Sequence, residues 1–247
     1  DPAKLTDWMP VDLYNGGMEH VTLHLLYSRF WHKFLYDIGV VPTKEPYKRR
    51  IFHGMILAEG GVKMSKSKGN TIDPLEMCDS FGADSLRCYI MFMGPYDEAI
   101  AWDTNGLVGC NRFLTKAYHW VHDLEQGSAV ENEADLDRDL HALIKKMTED
   151  IDSQKSNTWV SSMTEFVNTW QGTNIGSERM KTFVTLLAPF APHLTEELWE
   201  VLGGTTSVHM ESWPTYDESK LETTEVDYQV HVNGKMRAMI TVGKDAS

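Results

Sequence analysis

The sequence contains little cysteine and no long apolar run. Its 247 residues include three cysteines, Cys78, Cys88 and Cys110, with no pair at a Cys-x-x-Cys interval. This spacing argues against a disulfide framework and against a zinc knuckle. No stretch approaches the roughly 18 consecutive apolar residues of a membrane span, and the first residues lack the basic and apolar regions of a secretory signal. We therefore predict a cytoplasmic protein with no membrane partner.

Positive charge is also scarce. Lys and Arg number 23 against 36 Asp and Glu, a formal net charge of −13, which over the whole chain argues against a nucleic-acid partner such as DNA. The deficit is uneven, because residues 1–70 contain ten basic and seven acidic residues while residues 71–247 contain thirteen and twenty-nine. We therefore expect any anion site near the N-terminal end.

The first part of the chain mixes helix and strand patterns. Apolar residues recur every three to five positions over 17–38, which predicts one amphipathic helix that Gly16 and Gly17 open and Gly39 closes. The apolar run 51–57 is typical of a buried strand.

Two helices are predicted after this strand and its glycine-rich loop. Asp73 before Pro74 marks the start of the first helix, and Gly82 divides it from the second, which ends near Met93.

The pattern is helical beyond residue 103 and changes again near the end. Amphipathic helices are predicted at 105–125, 136–154, 158–170, 177–189 and 193–202, which together indicate a helix bundle. The acidic stretch 213–224 is interpreted as a linker. Alternation of apolar residues around Asn233-Gly234 then predicts a β-hairpin, with an odd-length turn that pairs Val232 with Met236 and Val230 with Ala238.

The residues 63–70 concentrate lysines, hydroxyl groups and glycine. They read Lys63-Met64-Ser65-Lys66-Ser67-Lys68-Gly69-Asn70, with no acid among them. Ammonium groups, hydroxyls and exposed backbone amides suit a polyphosphate ligand. A solvated lysine-rich turn is the alternative for such a loop.

Residues 63–67 are identical to the KMSKS motif of class I aminoacyl-tRNA synthetases, and they follow a strand that ends His53-Gly54-Met55, as in that family. The chain therefore resembles these enzymes. The resemblance implies an ATP-binding loop made of Lys63, Met64, Ser65, Lys66 and Ser67. Lys66 is then the main catalytic candidate and Lys63 assists it, since lysines can offset the charge that develops on the α-phosphate and the departing pyrophosphate.

A second string resembles the leucyl branch of the family. Tyr14-Asn15-Gly16-Gly17-Met18-Glu19-His20 is followed by His24-Leu25-Leu26-Tyr27-Ser28-Arg29-Phe30. This resemblance implies leucine and tRNA(Leu) as substrates. Any contact with the tRNA phosphates is then expected to use a narrow basic face that includes Lys48, Arg49 and Arg50. The resemblance also implies an ATP site in which Gly16 and Gly17 approach the ligand, Glu19 contacts the ribose, the backbone at Gly54, Met55 and Ile56 meets adenine, and His53 lies near the phosphates. His20 and His24 are then placed beside the adenylate and the amino acid.

His20 and His24 stand four residues apart, a spacing that also suits half of a zinc site. The glutamate of a His-Glu-x-x-His motif is absent and no third ligand is evident, so we predict no metal held by the protein. Mg²⁺ is expected with ATP, bound through phosphate oxygens and water.

The fold class that follows is α/β plus all-α. Residues 1–103 are predicted as the second half of a Rossmann-type catalytic domain with the KMSKS loop, 104–212 as an anticodon-binding-type helix bundle, and 213–247 as a linker and β-hairpin that open a C-terminal domain. The family's first ATP motif belongs to an N-terminal catalytic half that these residues do not contain, so we expect no aminoacylation by this chain alone. Two functions stay open: part of a leucyl-tRNA synthetase, or a non-catalytic paralogue that binds RNA or protein.

Overall fold

The computed structural model describes residues 1–221 and the backbone of residues 225–232 and 235–243. The described chain is rich in helix and contains three small sheets. It divides into two compact units, residues 1–112 with 153–161 and residues 113–152 with 162–247. None of the helices in the described residues has the length and apolar character required to cross a bilayer.

The first unit combines short helices with two small sheets. Its helices are α1 (Pro2–Trp8), α2 (His24–Asp37), α3 (Pro74–Phe81) and α4 (Ala83–Phe92), and its strands are β1 (Val11–Gly17), β2 (Tyr47–His53), β3 (Ile56–Ala58), β4 (Val62–Lys63) and β5 (Ile100–Ala101). Strands β1 and β2 form a parallel pair. In the second sheet, β3 is central, antiparallel to β4 and parallel to β5.

The helix predicted over 17–38 is wrong in its first third. Residues 11–17 form β1, Met18–Val21 forms a 3-10 turn, and α2 begins only at His24. The strand exists because β1 pairs with β2, from Val11 opposite Tyr47 to Gly17 opposite His53. Such a long-range pairing is invisible to local periodicity. The predicted end is confirmed, since Gly39 follows α2 with φ of +74°.

The strand predicted over 51–57 is interrupted at Gly54 and Met55, so that its two parts belong to different sheets. The helix signals that follow are confirmed. The Asp73 carboxylate accepts a hydrogen bond from the Leu75 N–H at 2.9 Å, which caps α3 with Pro74 in its first turn. Gly82, with φ of +86°, then separates α3 from α4.

The α2 helix is fastened to the loop that precedes β2 by polar contacts. The Glu45 carboxylate accepts hydrogen bonds from Arg29 at 2.7 and 2.8 Å and from Lys33 at 2.7 Å. These hydrogen bonds lower the pKa of Glu45 to about 2. His32 is buried on the same helix, and its Nε2 lies 2.7 Å from the Thr43 carbonyl oxygen.

The core of the first unit lies around α4. Tyr89 packs its ring edge-on against Trp102 at 4.9 Å between centroids, and its hydroxyl accepts a hydrogen bond from the Asp103 N–H at 2.7 Å. Burial raises the pKa of Tyr89. Cys88 and Cys110 are buried and in hydrogen-bond contact, and this contact, together with burial, raises the pKa of the Cys88 thiol. All three cysteines are free.

The second unit is mainly helical. Helices α5 (Thr104–His122) and α7 (Ser156–Trp170) begin in the first unit and end in the second, which also holds α6 (Glu133–Ser153), α8 (Ser177–Leu187), α9 (Pro192–Val201), β6 (Glu225–Val232) and β7 (Lys235–Gly243). The five predicted helices are confirmed, with ends that differ by at most three residues from those observed.

An aromatic cluster fills the core of the second unit. Trp120, Phe166 and Phe183 are each at most 5% exposed, and the three centroid distances among their rings are 5.4, 5.9 and 6.1 Å. The three residues come from α5, α7 and α8. Their contact therefore explains why these amphipathic helices bury the faces that the sequence pattern predicts.

The segment 213–221, interpreted from sequence as part of a linker, is held against α6. The contacts are Trp213 Nε1 to Thr148 Oγ1 at 2.9 Å, the Asp217 N–H to His141 Nδ1 at 3.0 Å, Lys145 Nζ to Glu218 Oε1 at 2.9 Å, and Lys220 Nζ to Asp137 Oδ2 at 2.9 Å. Acidic composition alone predicts a solvated segment, and it contains no information about these partners.

Strands β6 and β7 pair antiparallel in a register that differs in part from the prediction. Val230 lies opposite Ala238 as predicted, but Val232 lies opposite Lys235 instead of Met236. One step along β6, from Val230 to His231, lies opposite two steps along β7, from Ala238 to Met236, so the pairing is irregular within the described strands. The turn residues Asn233 and Gly234 lie outside the described residues.

Candidate functional site

A cavity in the first unit is lined by five of the predicted ATP-binding residues. These are Glu19, His53, Gly54, Met55 and Ile56, and the cavity, here called the Gly54 pocket, has a volume of about 670 Å³. Apolar side chains of α4 and its C-terminal end, Ile90 and Met93, contribute to the lining. The sequence analysis did not select the segment 95–98, which completes the wall with Tyr96, Asp97 and Glu98.

The wall at Gly54 depends on the absence of a side chain. The Gly54 N–H donates a hydrogen bond to the Tyr96 carbonyl at 2.8 Å, and a Cβ on Gly54 would lie 1.6 Å from the Glu98 carbonyl oxygen. The Ile100 N–H donates to the Met55 carbonyl at 3.0 Å. The two backbones therefore run in close contact only because residue 54 is glycine, which is the usual meaning of a glycine inside a strand pattern.

Tyr96 connects the pocket to β1. The Asn15 Nδ2 group donates a hydrogen bond to the Tyr96 hydroxyl at 2.7 Å, and the His53 ring lies edge-on to Tyr96 at 6.3 Å between centroids. His53 Nδ1 is 2.8 Å from the Gly54 carbonyl oxygen. The only sequence signal for Tyr96 was an aromatic residue that follows Gly94 and Pro95.

Glu19 enters the pocket from the 3-10 turn after β1. Gly17 leaves room for it, since a Cβ on Gly17 would come within 2.3 Å of the Glu19 carboxylate. Gly16 lies on β1 opposite Phe52 and does not line the pocket.

The predicted pair of histidines does not share one helix face. His20 belongs to the 3-10 turn and His24 is the first residue of α2, because β1 displaces the helix start. Their rings still lie edge to face at 6.5 Å, and His24 Nδ1 is 3.0 Å from the Tyr14 hydroxyl. Neither histidine lines the Gly54 pocket. In residues 1–221 no group of three His, Cys, Asp or Glu is arranged to hold a metal ion.

The KMSKS loop leaves the same small sheet that carries the pocket. In β4, Lys63 lies opposite Leu57, the residue after Ile56. The loop then closes through Asn70, whose Oδ1 accepts the Ser65 N–H at 2.8 Å and whose Nδ2 donates to the Lys63 carbonyl at 3.2 Å. Asn70 is therefore a structural residue of the loop that the sequence analysis did not select.

The lysines of this loop are exposed and unpaired within the part of the chain that the structure describes. Lys66 and Lys68 lie on a 3-10 turn, with Gly69 in the left-handed region immediately after it. Lys63, Lys66 and Lys68 form no ion pair in residues 1–221, and none of residues 63–67 lines the Gly54 pocket itself. Their charge is therefore available to an anionic ligand near the pocket.

One face of α2 and the sheet next to it expose apolar surface. Leu26, Tyr27, Phe30, Trp31 and Phe34 are between 47% and 69% exposed. Sheet β1–β2 has only two strands, although parallel sheets are normally covered on both faces. Surface of this kind marks an interaction site.

The three residues of the predicted basic face do not share one environment, because Lys48 is paired with an acid whereas Arg49 and Arg50 line a cavity. Lys48 Nζ donates to the Asp12 carboxylate at 2.6 Å, and this hydrogen bond lowers the pKa of Asp12. Arg49 and Arg50 line a second cavity of the first unit, together with residues near the start of α7.

Two family models match the chain. Residues 2–103 match the model described as tRNA synthetases class I (I, L, M and V), and residues 134–247 match the model described as the anticodon-binding domain of tRNA ligase. The two matches lie in the order in which the sequence analysis placed a catalytic part and a helical part.

Solved structures agree with these matches. The chain is 32% identical to the LeuRS of Agrobacterium radiobacter K84, crystallised as a ternary complex with tRNA and LeuAMS, with a TM-score of 0.82 over 100% of this chain and 34% of that one. The chain therefore spans about a third of the length of that protein. Methionyl-tRNA synthetase of Mycobacterium tuberculosis, in complex with methionyl-adenylate, matches at 18% identity and a TM-score of 0.61 over 80% of this chain and 45% of that one, a likeness of fold alone.

Proposed function

Because this chain belongs to the class I aminoacyl-tRNA synthetases and resembles a portion of a leucyl-tRNA synthetase, we propose that it supplies the KMSKS-bearing part of an enzyme that activates leucine with ATP and transfers it to tRNA(Leu). In this proposal residues 1–103 complete a Rossmann-type catalytic site, and the helices that follow are an anticodon-binding bundle. The reaction takes place in the cytoplasm, in keeping with three cysteines that are all free.

The observation that carries the proposal is the pairing of Lys63 with Leu57. It joins the lysine loop to the strand that begins at Ile56, on the wall of the Gly54 pocket. Backbone at Met55 and Ile56 can meet an adenine ring there, and Glu19 can accept hydrogen bonds from a ribose diol. The phosphates of the same nucleotide would then extend toward Lys63 and Lys66.

The proposed role of the lysines is to stabilise the negative charge that develops as the adenylate forms. A leucine carboxylate oxygen attacks the α-phosphorus of ATP, a new oxygen–phosphorus bond forms, and the bond to the bridging oxygen breaks with release of pyrophosphate. Negative charge grows on the phosphate and on the leaving group, and unpaired ammonium groups held on a closed loop stabilise it. The adenylate then passes its leucyl group to a ribose hydroxyl of tRNA, and AMP leaves.

The cofactor of the nucleotide is Mg²⁺. Phosphate oxygens and water are its expected ligands.

The exposed face of α2 supports a requirement for an N-terminal catalytic half. Its apolar side chains and the two-stranded parallel sheet are the surface that further strands and helices of a doubly wound domain would cover. We therefore propose that the chain is inactive until this half is present.

The test is leucine-dependent exchange of pyrophosphate into ATP, measured on this chain, on a separately prepared N-terminal half, and on the two together. We expect exchange only in the mixture. Lys66→Ala should then lower the exchange rate about a hundredfold, whereas the matched variant Lys68→Ala, in the same turn but outside the motif, should retain most of it.

Two results would contradict the proposal. A neutral Lys66→Ala variant would remove the catalytic assignment of this residue. A mixture in which the halves associate without exchange would favour the non-catalytic paralogue.

A further inference from the structure

A side-chain hydrogen bond joins two walls of the Gly54 pocket. The Asn15 Nδ2 group donates to the Tyr96 hydroxyl at 2.7 Å, although 81 residues separate the two in sequence. Asn15 belongs to β1, and Tyr96 lies in the segment 95–98 that completes the pocket wall. The proposed reaction assigns no role to either side chain, so the bond needs another explanation.

The first of these walls comes directly after β1. Met18 and Glu19 line the pocket from the 3-10 turn that follows Gly17, the last residue of β1. Asn15 stands on the same strand, close to Glu19 in sequence. A restraint on Asn15 therefore limits the position of the carboxylate that is proposed to contact the ribose.

The second wall is the segment 95–98, which packs against the backbone that is proposed to meet adenine. The Tyr96 carbonyl accepts the Gly54 N–H at 2.8 Å, and a Cβ on Gly54 would lie 1.6 Å from the Glu98 carbonyl oxygen, so this contact has no slack. The Tyr96 ring lies edge-on to His53 at 6.3 Å between centroids. Tyr96 therefore contacts the adenine wall through its backbone and ring, and β1 through its hydroxyl.

We propose that Asn15 and Tyr96 are positioning residues for ATP. Their hydrogen bond holds the ribose contact at Glu19 and the adenine contact next to Gly54 at a fixed separation. A pocket whose two walls are already in place loses less conformational freedom when the nucleotide binds, so the bond raises the affinity for ATP. The inference rests on the proposed function, which supplies ATP as the ligand of this pocket.

This role predicts a particular kinetic effect. The bonds that form and break are at the α-phosphate, so contacts to adenosine are equal in the bound substrate and in the transition state. Loss of such contacts raises the KM for ATP and leaves the maximal rate nearly unchanged. A variant that is merely less folded would instead lower the maximal rate and keep the KM, because its folded molecules are unaltered.

The test is leucine-dependent pyrophosphate exchange at a series of ATP concentrations, with each variant of the 247-residue chain mixed with the separately prepared N-terminal half. Asn15→Ala and Tyr96→Phe should each raise the KM for ATP about three- to tenfold and change the maximal rate by less than about twofold. Tyr96→Phe keeps the ring next to His53 and removes only the hydroxyl. The double variant should match the single variants, since each of them already removes the whole bond.

Tyr47→Phe is the matched control, because it also removes one phenolic hydroxyl from the first unit. The Tyr47 ring lies 4.5 Å from the Tyr14 ring between centroids, but its hydroxyl has no hydrogen-bond partner in residues 1–221. The KM for ATP of this variant should stay within about twofold of the parent value.

A second measurement, on the 247-residue chain alone, reports directly on the wall. Because the Gly54 N–H is bonded to the Tyr96 carbonyl, its hydrogen exchange with solvent should be about three- to tenfold faster in Asn15→Ala and in Tyr96→Phe. Tyr47→Phe should leave this rate unchanged. Equal rates at Gly54 in all three variants and the parent would show that the bond does not hold the segment 95–98, and would overturn the inference.

The kinetic results separate this inference from the proposed function. An active parent mixture in which Asn15→Ala and Tyr96→Phe keep the parent KM would refute the role of the bond and retain the proposed function. A double variant whose KM rises by the product of the two single effects would also refute it, since the residues would then act independently. Halves that associate without pyrophosphate exchange would refute the proposed function, and with it ATP as the ligand that these residues position.

Discussion

The backbone of Gly54 lies so close to Glu98 that a Cβ at position 54 would be 1.6 Å from the Glu98 carbonyl oxygen. Gly54→Ala must therefore push the segment 96–98 away and break the hydrogen bond from the Gly54 N–H to Tyr96. We expect the free energy of unfolding to fall by about 1–3 kcal/mol, the usual cost of overpacking. Urea unfolding followed by circular dichroism measures this change.

Gly109→Ala is the control for that substitution, because a Cβ on Gly109 meets no atom within 4 Å and the residue is in α5. An alanine there should leave stability unchanged or raise it by up to about 1 kcal/mol. Equal destabilisation by both variants would contradict the close contact at Gly54.

Asn70 fixes the KMSKS loop by bonding both Ser65 and Lys63. Asn70→Ala removes both hydrogen bonds, so we expect the amides of 65–69 to exchange hydrogen about five- to tenfold faster, in line with about 1 kcal/mol of lost local stability. Hydrogen exchange with mass spectrometry measures this rate. Thr71→Ala, at the next residue, should leave it unchanged, and similar rates in the two variants would remove the role assigned to Asn70.

Glu45 gives α2 a pH-dependent attachment. Its pKa of about 2 in the folded chain lies below the value of about 4.3 expected when unfolded, so its contribution is complete above about pH 4.5 and declines as the pH falls toward 2. Because the side chain is 46% exposed, solvent screening keeps the effect below about 1 kcal/mol. Comparison of Glu45→Gln with the parent chain should show a stability difference at pH 7 that disappears near pH 2. A constant difference across this range would contradict the assignment.

Phe183 is the centre of the aromatic cluster in the second unit and is fully buried. Phe183→Ala leaves a cavity between Trp120 and Phe166 and should reduce the free energy of unfolding by about 3–5 kcal/mol. Phe183→Leu fills most of the space, so we expect a smaller loss. Urea unfolding monitored by tryptophan fluorescence gives both numbers, and equal losses would show that ring volume at this site is unimportant.

Local sequence signals predicted the helical part of the fold well. Five amphipathic periods gave five helices because each helix buries one face, as Phe183 does on α8. The helix N-cap at Asp73 and the helix break at Gly82 could also be predicted from the sequence, since both depend on neighbouring residues alone.

Local sequence patterns could not predict strand β1 or the register between β6 and β7. Strand β1 depends on a partner that begins 36 residues later, from Val11 to Tyr47. A period of two limits the pairing of β6 with β7 to registers that keep the apolar sets together, and it does not say whether the turn or the ladder contains the extra residue.

The sequence selected two separate parts of the candidate site but not their arrangement. The motif residues 63–67 and the pocket residues 53–56 were selected as sequence strings, and the structure brings the two strings together through β3 and β4. Tyr96, Glu98 and Asn70 were not selected, because their roles arise from hydrogen bonds and close backbone contacts that the tertiary structure creates.

The contacts along α6 have a consequence for any shortened form of the chain. Asp137, His141, Lys145 and Thr148 follow one another at steps of four, four and three residues, so they form one stripe on the helix, and the segment 213–221 runs along it in the opposite direction. Truncation after residue 212 would remove all the residues of segment 213–221 that contact this stripe, namely Trp213, Asp217, Glu218 and Lys220. A fragment of the chain intended for binding studies should therefore retain residues 213–221.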